Sequence, residues 1–293
     1  MSELINKTMD RKDLDNCSAS KIITELNNLI LMLKTLDVKI SSWYGRFDLN
    51  GRKESTEVIN RGVNYCPLPF AADDVNFPWF VYWEIAWLLL NNDFKPGQSV
   101  LDLGGSSSLF SYFLAHKGLM VTTVDLQSSL VENANRTADI MNWHLTNYVM
   151  DMRNLALGEM FDHVTSVCVY EHIPMFDRVE INKGIKKVLK PGGHFSITFD
   201  YRNPSKNASI NSPKDVETQF ISPSGLLPRG NIPFFDSGIN YLLHPFYSDS
   251  SNIIEYKERS IKNGLFDASE IKVIKRENDY TFGALFLEKA VNV

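Results

Sequence analysis

Apolar residues recur at helical spacing in two segments near the start of the chain. In residues 21–36, KIITELNNLILMLKTL, they return every three or four positions, which predicts an amphipathic helix packed on a core or, alternatively, against a second copy. The segment FPWFVYWEIAWLLLNNDF is apolar on all sides and predicts a buried helix ending near Asn91 or Asn92. The polar residues 1–20 predict a loosely packed end. These features predict a helical N-terminal cap and substrate region over residues 1–92.

From residue 93 to residue 200, short apolar strands alternate with helical stretches. Such alternation is typical of a doubly wound, parallel sheet with right-handed crossovers. We therefore predict a Rossmann-like core over residues 93–200. The five strands predicted within it are SVLDLGG, LMVTTVDLQ, LTNYVMD, a strand within FDHVTSVCVYEHI, and HFSITFD.

The regular alternation ends at Asp200. Residues 201–262 begin with a long stretch rich in Asn, Ser, Pro and aromatic residues, which predicts a lid or substrate-binding insertion. The segments EIKVIKREN and YTFGALFLEKA, joined by a tight turn, predict a closing β-hairpin within residues 263–293. The predicted fold class is α/β: a doubly wound, mostly parallel seven-stranded sheet with an antiparallel C-terminal hairpin, a helical N-terminal cap and a lid insertion.

Composition narrows the range of partners. The chain has 293 residues, 44% of them hydrophobic, and a formal net charge of -5. Because phosphate binding needs a clustered positive field, this balance argues against nucleic acid as a partner. The polar start lacks the apolar run of a signal peptide, and no segment is long enough to span a membrane. Cys17, Cys66 and Cys168 show no disulfide or zinc spacing, and the six histidines show no metal-binding spacing. These features predict a cytoplasmic protein without a metal site.

The stretch VLDLGGSSS, residues 100–108, ends the first strand of the core in small residues. Ligands of open α/β sheets bind at this turn, where glycine lets them approach the backbone. Asp102, inside the apolar strand, suits a cationic group better than a diphosphate. Asp125 ends the second strand, 21 residues after Gly104, where an acid accepts hydrogen bonds from ribose hydroxyls. Asp151 follows the third strand and could accept from an adenine amino group. An ammonium, a ribose and an adenine together point to S-adenosylmethionine.

These motifs, in this order, resemble those of class I S-adenosylmethionine-dependent methyltransferases of the small-molecule branch. VLDLGGSSS resembles the glycine-rich motif, VTTVDLQ the ribose motif, VMDMRNL the adenine motif and LKPGGHFSITF the motif before the fifth strand. Ser106 and Ser108 stand where the family keeps glycines, which predicts a modified turn. The resemblance covers roughly residues 95–200 and the terminal hairpin. It implies S-adenosylmethionine as cofactor, held by Asp102, Gly104, Gly105, Ser106, Asp125, Leu126, Asp151, Met152 and Tyr170.

The chemistry of methyl transfer indicates where a catalytic group should lie. The cofactor supplies the activated methyl group, and a base assists when the acceptor is a hydroxyl or a protonated amine. Three adjacent candidates follow the fourth strand, namely Tyr170, Glu171 and His172, although this EHI segment is often structural in similar methyltransferases. His244, in the predicted lid, is a further candidate.

The leading interpretation is a biosynthetic transferase that methylates a hydroxyl of a small-molecule acceptor by in-line displacement. The alternatives are N-methylation of a small amine, or a catalytically silent, cofactor-binding partner subunit. Methylation of bases is disfavoured because no NPPY-type motif follows the fourth strand. Arg202 and Arg229 could clamp an acidic substrate or simply be solvated. A second copy of the chain is a possible partner.

Overall fold

A computed structural model describes residues 4–41, 70–71, 77, 79–203, 210–241 and 280–291. The predicted N-terminal helices are present. The elements of this region are β1 (Lys7–Thr8), a 3₁₀ turn (Arg11–Leu14), α1 (Cys17–Thr35), β2 (Lys39–Ile40), β3 (Phe70–Ala71) and α2 (Trp79–Asn91).

The core alternates strands and helices as predicted. Its elements are β4 (Ser99–Leu103), α3 (Leu109–His116), β5 (Met120–Asp125), α4 (Ser128–Met141), β6 (Leu145–Val149), β7 (Phe161–Val167), α5 (Met175–Val188) and β8 (Leu189–Tyr201). The strands β4 to β8 pair in parallel in the order β8-β7-β4-β5-β6. Because the chain winds outward from β4 to one edge and then returns to β7, the switch point lies between β4 and β7.

The antiparallel C-terminal strand is also confirmed. The strand β10 (Thr281–Glu288) pairs antiparallel with β8 along its whole length. On its other side it pairs with β1 and with β9 (Leu227–Pro228). The segment EIKVIKREN, predicted as the other strand of the hairpin, lies outside the described residues.

Residues 5–9 are not loosely packed, so the prediction of a loosely packed end was wrong for this segment. Asn6 is fully buried; its side chain donates to the carbonyl of Arg229 at 2.6 Å and accepts from the N–H of Phe286 at 2.6 Å. Met9 is also buried, and its N–H donates to the carbonyl of Phe282. The polar sequence gives no sign of this packing, because no apolar stripe produces it. The segment is held to β10 by backbone hydrogen bonds and by the buried side-chain amide of Asn6.

Two hydrophobic clusters cover the two faces of the sheet. The first includes residues of α1 to α4, and the second includes α5 and part of the predicted lid. That part comprises α6 (Pro213–Val216), a π-helical turn (Glu217–Ile221) and α7 (Ser222–Ser224). Val216 and Phe220 are fully buried, so residues 213–224 belong to the core rather than to an open lid. Residues 242–262 of the predicted insertion lie outside the described residues.

Within the described part of the chain, no helix combines the length and the apolar character needed to cross a bilayer.

Candidate functional site

The turn between β4 and α3 depends on Gly104. Its φ of 74° is a left-handed conformation that glycine adopts readily. Its N–H donates to the carbonyl of Val124 at 2.8 Å, which ties the turn to β5. A Cβ at this position would lie 2.8 Å from both methyl groups of Val169, the residue that leads into the turn after β7. The carboxyl ends of β4, β5 and β7 therefore meet around Gly104.

Asp102 lies beneath this turn, in the interior of the protein. One carboxylate oxygen accepts from Ser111 Oγ at 2.6 Å, and the other accepts from Thr165 Oγ1 at 2.9 Å. The side chain is almost fully buried, and burial raises its pKa to about 6. Both oxygens thus bind protein hydroxyls. We conclude that Asp102 supports the turn from within, so that any effect on a bound cation would be indirect.

Replacing Gly105 with alanine should disrupt this support. The added Cβ would collide with the carboxylate of Asp102 and would lie 2.8 Å from Ser111 Oγ. Moving a buried carboxylate away from its two hydroxyl donors costs about 2–4 kcal/mol. We expect Gly105→Ala to lower the free energy of unfolding by that amount in urea denaturation. Gly184→Ala, in α5 with open space around it, is the matched control and should be neutral or stabilising. Equal stability of both variants would contradict this account of the turn.

All three serines of the turn, including Ser106 and Ser108 at the family's glycine positions, form hydrogen bonds within the protein. Ser106 Oγ lies 2.7 Å from Thr123 Oγ1, which donates to Asn147 Oδ1 at 2.6 Å. Ser107 Oγ donates to the carbonyl of Leu130 at 2.7 Å. Ser108 caps α3 by accepting from the N–H of Ser111. The modified turn is therefore anchored by hydroxyls where the family pattern has glycine.

The N-terminal region also contacts this turn. The N–H of Ser41 donates to the carbonyl of Ser107 at 2.7 Å, and Ser41 Oγ donates to the carbonyl of Ser106 at 3.2 Å. Asn133 of α4 donates to Ser107 Oγ and to the carbonyl of Lys39. Sequence reasoning missed Ser41 and Asn133, since nothing near them in sequence marks a contact with the turn.

Asp125 occupies the predicted position at the end of β5. One carboxylate oxygen accepts from the N–H of Gln127 at 2.9 Å. Burial, together with the nearby charge of Asp102, raises the pKa of Asp125 to about 6. Leu126, which follows it, is partly buried. A partly buried carboxylate beside the glycine turn is well placed to accept hydrogen bonds from vicinal hydroxyls.

Asp151 follows β6 as predicted, and its carboxylate binds Arg153. The Nε atom of Arg153 donates to both oxygens, at 3.0 and 2.9 Å, and Nη2 donates at 2.5 Å. Nη1 of the same arginine pairs with Asp177 at 3.1 Å. Met152, next to Asp151, packs against the second cluster. The role of Asp151 toward adenine stays a prediction, and any such contact must share the carboxylate with Arg153.

The structure separates the three adjacent candidates after β7. Tyr170 is fully buried, with its ring packed against Phe195 and Phe220, so its side chain belongs to the core. Glu171 is also buried, whereas His172 is partly accessible. His172 Nε2 lies 3.6 Å from Glu171 Oε1. Of the three, Glu171 and His172 form the pair that can handle a proton.

Glu171 belongs to a group that we call the acidic cluster, made up of Glu84, Cys168, Glu171 and Asp200. The ligand atoms of Cys168, Glu171 and Asp200 lie within 4.8 Å of one another. Glu84, from α2, accepts from Thr198 Oγ1 at 2.8 Å. Burial raises the pKa of Glu84 and of the Cys168 thiol well above their usual values, and the neighbouring carboxylates add to both shifts.

The acidic cluster could hold a cation, either a metal ion or an ammonium group. Carboxylates that are buried together are stabilised by a positive charge. Sequence reasoning expected no metal and missed Glu84 and Asp200. The sequence feature that could have indicated Glu84 is its position as the single acid in the otherwise apolar segment WFVYWEIAWLLL.

Three predicted residues remain: Arg202 and Arg229, which contact other side chains, and His244, which lies outside the described residues. Arg202 pairs with Asp236 at 3.1 Å, and Arg229 donates to Asn92 Oδ1 at 2.9 Å. Both arginines therefore bind neighbouring side chains of the fold. His244 lies outside the described residues.

Comparison with known proteins agrees with this geometry. Residues 100–193, which run from β4 into β8, match the family model of the methyltransferase domain. This match identifies residues 100–193 as a methyltransferase domain. The match begins within β4, four residues before Gly104, and ends within the first part of β8. It thus covers the region in which sequence reasoning placed the cofactor motifs.

Individual relatives share this domain. The chain is 32% identical over 143 residues to a ubiquinone biosynthesis O-methyltransferase of Xanthomonas campestris pv. campestris, which covers 48% of the chain and 56% of the relative. It is also 32% identical over 135 residues to the enzyme of the same name from Coxiella burnetii, covering 46% of the chain and 54% of the relative. The chain thus spans just over half the length of these relatives.

One solved structure extends the likeness to most of the chain. It belongs to a Galdieria sulphuraria protein assigned as a sarcosine dimethylglycine methyltransferase. The superposition has a TM-score of 0.50 at 14% identity and covers 92% of this chain and 100% of that one. At this identity the likeness shows the fold alone.

Proposed function

We propose that this protein transfers the methyl group of S-adenosylmethionine to a hydroxyl of a small-molecule acceptor. The observation that carries the proposal is the arrangement at the carboxyl edge of the sheet. There the glycine turn lies beside Asp125 on one side and beside the turn bearing Glu171 and His172 on the other. The match to a methyltransferase domain and the O-methyltransferase relatives support it.

The residues at this edge fit the cofactor. The carboxylate of Asp125 suits the two ribose hydroxyls, because its two oxygens can each accept a hydrogen bond from one of the two adjacent O–H groups. The turn at Gly104 and Gly105 leaves the backbone open to a close ligand. Leu126 and Met152 offer apolar contacts on the side of the adenine motif. When bound, S-adenosylmethionine would supply a methyl group already activated for displacement.

The chain itself would orient the acceptor and take up its proton. A hydroxyl becomes a better nucleophile as its proton passes to a base, and an imidazole is suited to this near neutral pH. His172 is the partly accessible member of the pair. The carboxylate of Glu171, 3.6 Å from its Nε2 atom, would stabilise the ring after it accepts the proton. We therefore assign the base to His172 and its orientation to Glu171.

A second candidate function rests on the acidic cluster. Buried carboxylates that face an acceptor would favour an ammonium group over a neutral hydroxyl. The same edge of the sheet could therefore methylate the nitrogen of a small amine. Comparing amines with phenols and alcohols of similar size would separate the two functions.

Calorimetry and a transfer assay test the proposal together. We expect the full chain to bind S-adenosylmethionine and its demethylated product, each with one site and a micromolar Kd, near -8 kcal/mol. Incubation with radiolabelled cofactor and a panel of phenols, alcohols and amines should then label a hydroxyl compound. Labelling of amines alone would favour the second candidate. Binding without labelling of any acceptor would favour the silent partner subunit, and no binding would remove the cofactor assignment.

Location and assembly are further proposals of the same kind. We infer a cytoplasmic enzyme that acts on a small molecule and not on nucleic acid, and a homodimer is an alternative to the monomer. The net charge of -5 supports a substrate other than nucleic acid. Light scattering of the purified chain would decide between the monomer and the homodimer.

A further inference from the structure

Arg178 is a buried charged residue that the proposed mechanism does not use. It projects from α5 and is fully buried. Its Nε atom donates to the carbonyl of Tyr170 and its Nη2 atom to the carbonyl of Ile173, both at 3.0 Å. These two carbonyls lie on either side of Glu171 and His172 in the sequence. One guanidinium group therefore holds both ends of the turn that carries the proposed proton-handling pair.

The third contact of Arg178 reaches a different part of the chain. Its Nη1 atom donates to Gln219 Oε1 in the π-helical turn. The carbonyl of Gln219 in turn accepts from Asn182 Nδ2 at 2.7 Å, which fixes the π-helical turn on α5. The ring of Phe220 lies 5.8 Å from the guanidinium carbon. Residues 213–224 and the turn after β7 are thus joined through one side chain.

Burying the guanidinium group of Arg178 is energetically unfavourable in itself. Transfer of a charge from water is unfavourable, and an apolar side chain of similar volume is often at least as stabilising. Burial lowers the pKa of Arg178 to about 10, so the group stays charged at neutral pH, and the charge of Glu171 favours that form. What an apolar residue could not provide is the planar fork of donors, which fixes two carbonyls and an amide oxygen at once. The gain from Arg178 is therefore geometric.

We propose that Arg178 is a positioning residue that sets the orientation of Glu171 and His172, and that Gln219 couples this orientation to residues 213–224. The proposal rests on the proposed function, because it assumes that this pair handles the proton of the acceptor. It predicts that the packing of residues 213–224 influences turnover although these residues do not touch the reacting atoms. Binding of the cofactor at Asp125 should be independent of it.

The test compares Arg178→Lys and Gln219→Met with the wild-type full chain. Lysine keeps the charge but not the fork, and methionine removes the amide acceptor at nearly constant volume. We expect turnover to fall about 10- to 100-fold for Arg178→Lys and by a smaller factor for Gln219→Met, while the Kd for S-adenosylmethionine stays within about threefold. Gln219→Glu keeps an acceptor and should restore turnover. Arg136→Lys, an exposed exchange of the same type on α4, is the control.

Amide hydrogen exchange gives a readout that does not depend on activity. The N–H of His172 donates to the carbonyl of Val169, and that of Ile173 donates to the carbonyl of Tyr170, so both should be protected in the wild type. In Arg178→Lys and Gln219→Met we expect faster exchange at these two amides without a change in the rest of the sheet. If Arg178→Lys fails to fold, Gln219→Met carries the test.

The outcomes are distinct. Unchanged exchange at His172 and Ile173 would overturn the proposal, and so would equal losses of turnover, cofactor affinity and melting temperature, which indicate a merely structural role. If the wild type transfers no methyl group to any acceptor, the proposed function fails. In that case local loss of protection in both variants would still establish the coupling between Gln219 and the turn. The double variant Arg178→Lys/Gln219→Met should be no worse than Arg178→Lys alone.

Discussion

Asp125→Ala is expected to lose about 100-fold in affinity for S-adenosylmethionine while the fold survives. Hydrogen bonds to a charged acceptor contribute about 1.5–3 kcal/mol each, and the variant loses the acceptor for the ribose hydroxyls. The fold should tolerate the change because the donors to Asp125 are backbone N–H groups at the edge of the site, among them that of Gln127. Isothermal titration of both proteins with the cofactor measures the effect.

Asp139→Ala, an exposed acid on α4, provides the control and should bind like the wild type. Dependence on pH adds a second test. The pKa of Asp125 in the free protein is about 6, and donors from a ribose would lower it in the complex. The complex then binds fewer protons than the free protein, so affinity should fall as the pH decreases through 6. We expect about a tenfold loss between about pH 7 and about pH 5, absent in Asp125→Asn. Equal affinity of Asp125→Ala and wild type would remove the ribose assignment.

His172→Ala is expected to lower turnover by about 10²–10⁴-fold without a comparable change in cofactor affinity. That range is the usual contribution of a positioned general base. The side chain is partly accessible, three residues after Val169, which packs against Gly104, and its removal should leave Asp125 and the glycine turn intact. The decisive measurement is turnover with saturating acceptor, together with the Kd for the cofactor.

His116→Gln, at the far end of α3, is the matched control for the loss of a histidine and should keep full activity. Glu171→Gln should show a smaller loss than His172→Ala, because it removes the charge that stabilises the protonated ring but leaves the ring in place. An unchanged rate in His172→Ala would end its assignment as base and leave the acidic cluster and His244 as the remaining candidates for that role. A parallel loss of rate and cofactor affinity would make the residue structural.

Several elements of the candidate site followed from local sequence. The helix over α1 and the strands β4 to β8 are marked by hydrophobic periodicity, which reports which side of an element is buried. The positions of Gly104 and Asp125 followed because strand ends in a parallel sheet converge at one edge. The position of the Tyr170 side chain did not follow from local sequence. The sequence puts it two positions before His172, but in the 3₁₀ turn Tyr170–His172 its ring enters the second cluster.

The remaining contacts of the candidate site depend on how distant strands pair, which local sequence does not show. The strand pairing aligns Thr165, Asp102, Thr123 and Asn147 in one row across β7, β4, β5 and β6. The four residues come from four different strands, and only the row shows that they support the turn together. The acidic cluster similarly collects Glu84 from α2 and Asp200 from β8, 116 positions apart in the sequence. The sequence by itself determined the elements and the chemistry at the strand ends, because periodicity and turn residues are local. Tertiary structure alone decided which polar groups meet, because contacts between distant residues depend on how the strands pair.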